Sequence, residues 1–434
     1  PFGVNASRRA IVTDAVAGCW FRAQVWEDWI RERRSSMEFK FDPRERRVRI
    51  RTLIPAGHEP RVFAPDERFQ FGIEEEYFLS DSETFATPAE TPDALFQIAD
   101  NSTTGRIGRE FLQAQIEVAT EPHLSLDDAR RELMRLRQSA AAAANEYGLS
   151  ILACGTHPLA HWRDSVQTPK DRYAQIMDDL QMVGHRDMLC GTHIHVEFAE
   201  PARRVEVMSR MLPYVPLFIA LSASSPFWQG RMTGLKGYRL AAYDELPRTG
   251  LPELFRSRAE YEAYVDVLVR AGAMPDASHL WWAIRPSLKY PTLELRAPDC
   301  CTRLDDTIAI AALYRTLARF LYLNPEHNAG VDIVDRAIAV ENKWRAQRYG
   351  VGGTFVTRSG AVTVANFLDR LLEITATEAD AFACHEQLEQ CRAIVLEGTS
   401  ADAQLRIFTE NQHSGAEVAL HQVTRWIRDA TLLA

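Results

Sequence analysis

Three consecutive carboxylates interrupt an otherwise hydrophobic segment. Residues Phe69 to Leu79 have the composition of a β-strand, and Glu74, Glu75 and Glu76 fall inside it. Because side chains alternate along a strand, Glu74 and Glu76 share one face and Glu75 takes the other. Two ionised carboxylates about 4 Å apart repel by roughly 4 kcal/mol at an effective dielectric constant of about 20, so a buried pair favours a cation between them. Oxygen ligands favour Mg²⁺ or Mn²⁺. A solvent-exposed edge strand is the alternative.

A second strand repeats this alternation with histidines. His193, His195 and Glu197 fall on one face of a predicted strand from Leu189 to Phe198. Two histidines in this spacing are a common metal-binding geometry, for which zinc is the default ion. The carboxylates in the other motifs favour a harder ion instead, with at most one imidazole ligand. Buried structural histidines are the alternative.

A third predicted strand, Thr292 to Ala297, carries Glu294 and Arg296 on its polar face. If this strand forms a hairpin with the preceding one, Trp281 to Arg285, then Arg285 lies close to Glu294. A metal-binding carboxylate beside two guanidinium groups suits phosphoryl transfer, because arginine neutralises the charge that develops on the transferred group. A cross-strand ion pair without a catalytic role is the alternative.

Glu110 and Glu117 form a further acidic pair. Their odd spacing would place them on opposite faces of one straight strand, so either a bulge or turn separates them or one of them is structural. Neither a Walker A sequence nor a strand-associated GxGxxG accompanies the acidic motifs. A P-loop or Rossmann nucleotide site is therefore disfavoured.

The elements that must position these residues run from strands to helices along the chain. Ser125 with Asp128 predicts the start of a helix that Gly148 ends. A long loop is expected from Ser222 to Pro252, and from Arg303 onward the pattern is almost entirely helical. This order predicts an α+β fold with an antiparallel or mixed sheet rather than a doubly wound one.

We expect one catalytic domain at residues 66–434, with a helical C-terminal part at about residues 303–434. The Arg-rich residues 1–65 are expected to be a peripheral leader. The apolar segment Leu368 to Ile374 could serve a core or a homo-oligomer interface.

Composition limits the functions open to the chain. Its 434 residues carry a net charge of −9, which disfavours general binding of nucleic acids or anionic membranes. No stretch reaches the roughly 18 uninterrupted apolar residues of a bilayer helix. The seven cysteines lack a CxxC motif and include the adjacent Cys300 and Cys301, which fits a reducing compartment. We therefore expect a cytoplasmic protein.

Together these motifs resemble the YbdK-like carboxylate-amine ligases of the type 2 glutamate-cysteine ligase family, within the glutamine synthetase-like superfamily. The similarity runs from about Phe69 to Val356. Its landmarks are Phe71 to Glu76, Gly191 to His195, Ser222 to Trp228, Leu246 to Gly250, Ile284 to Pro286, Thr292 to Arg296 and Glu341 to Arg345.

The resemblance implies an antiparallel sheet that forms a funnel, with helices on its outer face and ATP with Mg²⁺ inside. The positions that match the family's metal ligands are Glu74, Glu76, Glu110, Glu117, His193 and Glu294. Arg296 matches an arginine that stabilises phosphate, so we expect Arg296, Arg285 and Glu294 to be the catalytic residues. The predicted cofactor-binding and substrate-binding residues are Arg231, Arg239, Arg248 and His195, since guanidinium groups suit carboxylates and phosphates.

The implied reaction is ATP-dependent amide synthesis from a glutamate-like acid and an amine through an acyl phosphate, with weak glutamate-cysteine ligase activity as one form of it. Three alternatives stay open. They are phosphotransfer to a small carboxyl or guanidino compound, a metal-dependent hydrolase built on the histidine strand, and a ligand-binding protein without catalysis.

Overall fold

The computed structural model describes residues 39–40, 49–50 and 68–433, except residues 102, 104 and 105. The predicted leader, residues 1–65, lies outside the described residues apart from two short strands. These strands, β1 (Phe39–Lys40) and β2 (Arg49–Ile50), pair antiparallel. They belong to one compact unit, Pro1–Ala64, and all elements below belong to a second unit, Pro65–Ala434.

The strands of the second unit are given first in chain order. They are β3 (Phe71–Asp81), β4 (Ile107–Arg109), β5 (Gln115–Ala119), β6 (Leu149–Leu152), β7 (Thr192–Glu197), β8 (Phe227–Trp228), β9 (Arg231–Met232), β10 (Ile284–Pro286), β11 (Thr292–Leu295), β12 (Thr354–Thr357) and β13 (Gly360–Thr363). Within the described chain, seven of them form one sheet in the order β10-β11-β7-β3-β5-β4, and β6 also pairs with β3. Every pairing in this sheet is antiparallel, as predicted.

Helices make up most of the remaining unit. They are α1 (Asp93–Asn101), α2 (Leu126–Asn145), α3 (Asp171–Leu180), α4 (Met182–His185), α5 (Arg204–Met211), α6 (Val215–Ser222), α7 (Tyr238–Tyr243), α8 (Arg258–Arg270), α9 (Leu304–Leu323), α10 (Ile333–Tyr349), α11 (Val364–Ile374), α12 (Ala376–Phe382), α13 (His385–Glu397), α14 (Ser400–Asn411) and α15 (Ala416–Thr431). The predicted α+β class is therefore confirmed.

The long helix α2 shows how local sequence sets an element. Ser125 is its N-cap, and its hydroxyl accepts a hydrogen bond from the backbone N–H of Asp128. Leu133 and Leu136 are buried on the face that packs on the sheet. Burial of each leucine contributes about 1.5–3 kcal/mol. After the helix the chain turns at Gly148, whose φ of +69° favours a residue without a Cβ.

Two segments differ from the predicted organisation. The expected loop from Ser222 to Pro252 contains the hairpin β8–β9 and the helix α7. The expected all-helical C-terminal part contains the hairpin β12–β13. The alternating Thr and Val residues of this hairpin were the available signal, but it was too short to stand out among long helices.

The most apolar helical region lies inside the fold. Among the described residues, the run Pro201–Ser222 is long and apolar enough to cross a membrane, but 89% of its most apolar window is buried within the protein. A break at the turn Leu212–Tyr214 separates α5 from α6, where Pro213 cannot donate a backbone hydrogen bond. This run is a core element. The six described cysteines are also buried, and none forms a disulfide.

The register of the sheet brings the predicted site residues side by side. Across neighbouring strands the pairs are Glu74 with His193, Glu76 with Glu117, His195 with Glu294, and Glu294 with Arg285. Residues far apart in the chain thus share one face of the sheet. Glu75 points to the opposite face, where α2 and α9 pack.

Candidate active site

The face of the sheet that carries Glu74 and Glu76 lines a cavity of about 390 Å³. Ten of the twelve predicted site residues contribute side chains to this cavity. They are Glu74, Glu76, Glu110, Glu117, His193, His195, Arg239, Arg285, Glu294 and Arg296. The alternation inferred from the sequence therefore puts these side chains into one space.

One group of carboxylates lies at the β4–β5 end of the cavity. Glu76, Glu110 and Glu117 each offer an oxygen within 4.8 Å of the other two. A turn between β4 and β5 brings Glu110 back over Glu117, which resolves their odd spacing. Burial, followed by the charge of Glu76, raises the pKa of Glu110 to about 8. Burial and the neighbouring carboxylates raise the pKa of Glu117 well above its ordinary value. This group is short of positive charge.

A second group lies toward β11. Glu74, His195 and Glu294 also offer ligand atoms within 4.8 Å of one another. The Nδ1 atom of His195 lies 2.9 Å from the Thr292 hydroxyl, so its Nε2 atom faces Glu74 at 3.6 Å. Burial alone would lower the pKa of His195, but Glu74 and Glu294 raise it above its ordinary value.

His193 lies between the two groups. Its Nδ1 atom is 3.7 Å from Glu74 Oε2, and its Nε2 atom is 3.8 Å from Glu76 Oε1. Burial and the charge of Arg296 lower the pKa of His193, which favours the neutral imidazole that binds metal ions. Its Nε2 atom is buried without a hydrogen-bond partner among the described residues. A buried nitrogen in this state is available to bind an ion or a ligand group.

Two arginines hold Glu294. Arg285 Nε donates to Glu294 Oε2 at 2.8 Å, and Arg296 Nη1 donates to Glu294 Oε1 at 2.6 Å. Burial would raise the pKa of Glu294, but Arg296 and Arg285 lower it well below its ordinary value. The Nη2 atom of Arg296 lies 3.4 Å from the Tyr243 hydroxyl. The two guanidinium groups therefore orient Glu294 and favour its charged form, whereas Glu110 and Glu117 have no such ion pair among the described residues.

Gly191 allows a close approach beside these groups. Its N–H donates to Glu76 Oε2 at 2.6 Å, and a Cβ at this position would overlap the guanidinium group of Arg239. That guanidinium donates to the carbonyl groups of Arg296 and Pro298. Arg239 thereby ties the loop after β11 to the cavity wall.

Two predicted arginine positions require correction. Arg231 is exposed in the β8–β9 hairpin and does not line the cavity, because this hairpin turns its side chain toward solvent. Arg248 donates to the carbonyl of His279, and its guanidinium lies 5.3 Å from the centre of the Trp281 ring. It supports a lining residue but does not reach the cavity itself. Glu197 lies with Gly72 in a neighbouring cavity of about 370 Å³.

Sequence reasoning missed Asp187, Tyr243 and an aromatic part of the cavity wall. Burial and the charge of Glu76 raise the pKa of Asp187 to about 7. An acidic residue just before a predicted strand was the one signal for Asp187. Nothing in the local sequence of Tyr243 sets it apart.

The similarity of this chain to known proteins extends over most of its length. The family model of glutamate-cysteine ligase family 2 matches residues 70–422. A relative from Bradyrhizobium sp. (strain ORS 278), named for glutamate-cysteine ligase 2, is 58% identical over 388 residues, covering 89% of this chain and 92% of the relative. A relative from Rhodospirillum rubrum with the same name is 44% identical over 353 residues, covering 80% of this chain and 91% of its own.

Two solved structures share the fold at 14% identity. A bifunctional glutathione synthetase from Pasteurella multocida has a TM-score of 0.65 over 84% of this chain, which spans 53% of that enzyme's length. A glutamate-cysteine ligase from Francisella tularensis, solved in complex with AMP, has a TM-score of 0.59. The match covers 84% of this chain and 89% of that enzyme's chain. From the extent of the family match and the identity to its relatives, the chain belongs to glutamate-cysteine ligase family 2 and is a carboxylate-amine ligase.

Proposed function

We propose that this ligase uses ATP and Mg²⁺ to join a glutamate-like acid to an amine through an acyl phosphate. The observation that carries the proposal is the convergence of the two carboxylate groups beside Arg296 in one cavity. Relatives named for glutamate-cysteine ligase 2 support a glutamate-like acid. The AMP complex of the Francisella tularensis ligase supports the use of an adenine nucleotide. On this proposal, Pro65–Ala434 is one catalytic domain and its sheet face is the wall of a nucleotide funnel.

The donor set fits Mg²⁺ or Mn²⁺. Glu76, Glu110 and Glu117 supply carboxylate oxygens that form no ion pair with an arginine or lysine in the described chain, and His193 adds a neutral buried nitrogen. These residues would hold one ion, and Glu74 with Glu294 would hold another. Ions bound there would neutralise phosphate oxygens of ATP.

The proposed reaction balances without a protein nucleophile. An oxygen of the substrate carboxylate attacks the γ-phosphorus of ATP, and ADP leaves. The amine nitrogen then attacks the acyl carbon, phosphate leaves, and the nitrogen loses a proton. The products are an amide, ADP and phosphate.

Arg296 and Arg285 have different proposed roles in this reaction. The Arg296 guanidinium lines the cavity beside His193 and is positioned to stabilise negative charge on the transferred phosphoryl group. Arg285 donates to Glu294 and to the carbonyl groups of Ser278 and Leu280, so it orients Glu294 and indirectly Arg296. Arg285 is thus a positioning residue.

ADP release tests the proposal directly. Protein is incubated with ATP, Mg²⁺, glutamate and a panel of amines, and ADP and amide are measured together. Glu117→Gln should abolish ADP release, whereas Glu83→Gln, an exposed carboxylate outside the cavity, should leave it unchanged. ADP release no greater than that of Glu117→Gln with every acid would refute the proposal. A stable phosphorylated acid without amide would instead identify a phosphotransferase.

A further inference from the structure

Part of the wall of the candidate active-site cavity is apolar. It consists of Tyr173, Ile176, Leu180, Leu246 and Trp281, which we call the apolar wall.

Asp187 lines the same cavity, near enough to Glu76 and Glu110 for their charges to interact. Burial and the charge of Glu76 raise the pKa of Asp187 to about 7, and Arg239 and Arg296 oppose this rise. No hydrogen bond or ion pair to its side chain occurs within the described chain. This contrasts with Glu294, whose two oxygens are both held by arginine. A carboxylate that lines a cavity without a partner is available to a cationic ligand.

Backbone and side-chain contacts hold Asp187 next to the apolar wall. Its N–H donates to the carbonyl of Gly184 at 3.1 Å, and a Cβ on Gly184 would lie 3.2 Å from the Cβ of Leu180. The preceding residue, Arg186, pairs with Glu245 at 2.9 Å, directly before Leu246. The Asp187 carboxylate and the apolar wall therefore line the same cavity, with Leu180 and Leu246 close to the segment that carries Asp187.

We propose, building on the ligase function above, that Asp187 binds the ammonium group of the acceptor amine and that the apolar wall binds its side chain. The bound ammonium gives one proton to solvent before its nitrogen attacks the acyl carbon. The acceptor is then an amine with an apolar side chain of the size of leucine or phenylalanine. Carboxylate attracts ammonium, and five apolar or aromatic side chains offer more contact than a cysteine side chain fills.

Calorimetric titration tests this assignment without turnover. The full chain with Mg²⁺ and a non-hydrolysable ATP analogue is titrated with leucine and with glycine. Leucine should bind at least about tenfold more tightly than glycine, as expected for an apolar side chain in a matching pocket. Leu180→Ala should reduce this preference.

The role of Asp187 has its own control. Asp187→Asn should weaken leucine binding by about tenfold to a hundredfold, the effect of losing a charged hydrogen-bond partner. Asp178→Asn, which changes an exposed carboxylate on α3, should leave leucine binding unchanged. Affinity for the nucleotide analogue should be the same in both variants, and this affinity also reports that each variant is folded.

Three results would overturn the inference. They are equal affinity for leucine and glycine, a loss of glutamate rather than leucine affinity in Asp187→Asn, and a loss of nucleotide affinity in Leu180→Ala. ADP release without any preference among amines would refute this inference and leave the ligase function intact. Leucine binding that depends on Asp187 without any ADP release would refute the ligase function and retain the amine site.

Discussion

The two faces of β3 bury carboxylates in opposite ways. On one face, Glu75 is completely buried and accepts hydrogen bonds from Arg137 Nε at 2.9 Å, Arg137 Nη2 at 2.7 Å, Thr307 at 2.6 Å and Tyr77 at 2.5 Å. The remaining Arg137 donors reach the carbonyl groups of Cys301, Thr302 and Thr431. Every polar group of this pair has a partner within the protein.

On the other face, the chain supplies too few cations. Glu110 and Glu117 have raised pKa values, and His193 Nε2 has no hydrogen-bond partner among the described residues. The Glu75 pair is closed and structural, whereas the cavity face leaves charge to be neutralised by a ligand. Burial of acidic residues alone therefore does not mark a functional site. Buried acidic residues that lack a cationic partner among the described residues do.

The largest expected effect concerns the closed pair. Arg137→Met leaves the Glu75 carboxylate buried without its cation, so we expect a loss of about 3–5 kcal/mol in the free energy of unfolding, measured by urea denaturation. Arg130 lies on the same helix as Arg137 and forms a surface ion pair with Asp305 of α9. Arg130→Met should cost less than about 1 kcal/mol in the free energy of unfolding. Equal losses of unfolding free energy in the two variants would show that the buried Glu75–Arg137 pair is no more important for stability than a surface ion pair.

Replacement of Arg296 tests the open face. We expect Arg296→Gln to lower kcat by about a hundredfold to a thousandfold, because one preorganised donor to the transferred group is lost. The free energy of unfolding should change far less than in Arg137→Met, since Glu294 keeps Arg285 as a partner. A collapse of stability with unchanged kcat would make Arg296 a structural residue like Arg137.

The pH dependence of metal-free protein sharpens the comparison further. The folded-state pKa of Glu110 is about 8, above its ordinary value of 4.5, so the folded state binds this proton more tightly than the unfolded state. The resulting stability is complete below about pH 4.5 and is lost as pH rises through about 8.

Thermal and urea unfolding at pH 5 and pH 8 measure this loss. Mg²⁺ should reduce it, because a bound cation stabilises the ionised carboxylates, and Glu110→Gln should weaken the pH dependence. A steeper pH dependence in Glu110→Gln than in the parent would contradict the assignment.

The smallest expected effect concerns two helix N-caps that lie away from both faces of β3. Ser125→Ala removes the N-cap of α2 and should cost about 1 kcal/mol in the free energy of unfolding with kcat unchanged. Ser257 caps α8 in the same way, so Ser257→Ala should give a similar loss. A change of kcat in either variant would show that a loss of helix stability by itself affects catalysis.

Local sequence patterns predicted many residues of the site but not which distant segments come together to form it. Alternation along a strand predicted that Glu74 and Glu76 would share a face, and the sheet register confirms it. The prediction for the loop arginines placed Arg239 correctly in the cavity wall but not Arg231. In a long loop no repeating pattern indicates direction, so the side of the hairpin that faces solvent is decided by packing.

By itself, the sequence determined which residues alternate on each strand, where α2 begins, and that acidic and basic side chains suited to phosphoryl transfer occur on separate strands. These properties depend on neighbours a few residues apart. Only the tertiary structure decided that Glu75 meets Arg137, that Glu110 turns back over Glu117, and that Asp187 lines the same cavity as the apolar wall. Such contacts join distant segments, and their partners are selected by the packing of the whole sheet and its helices.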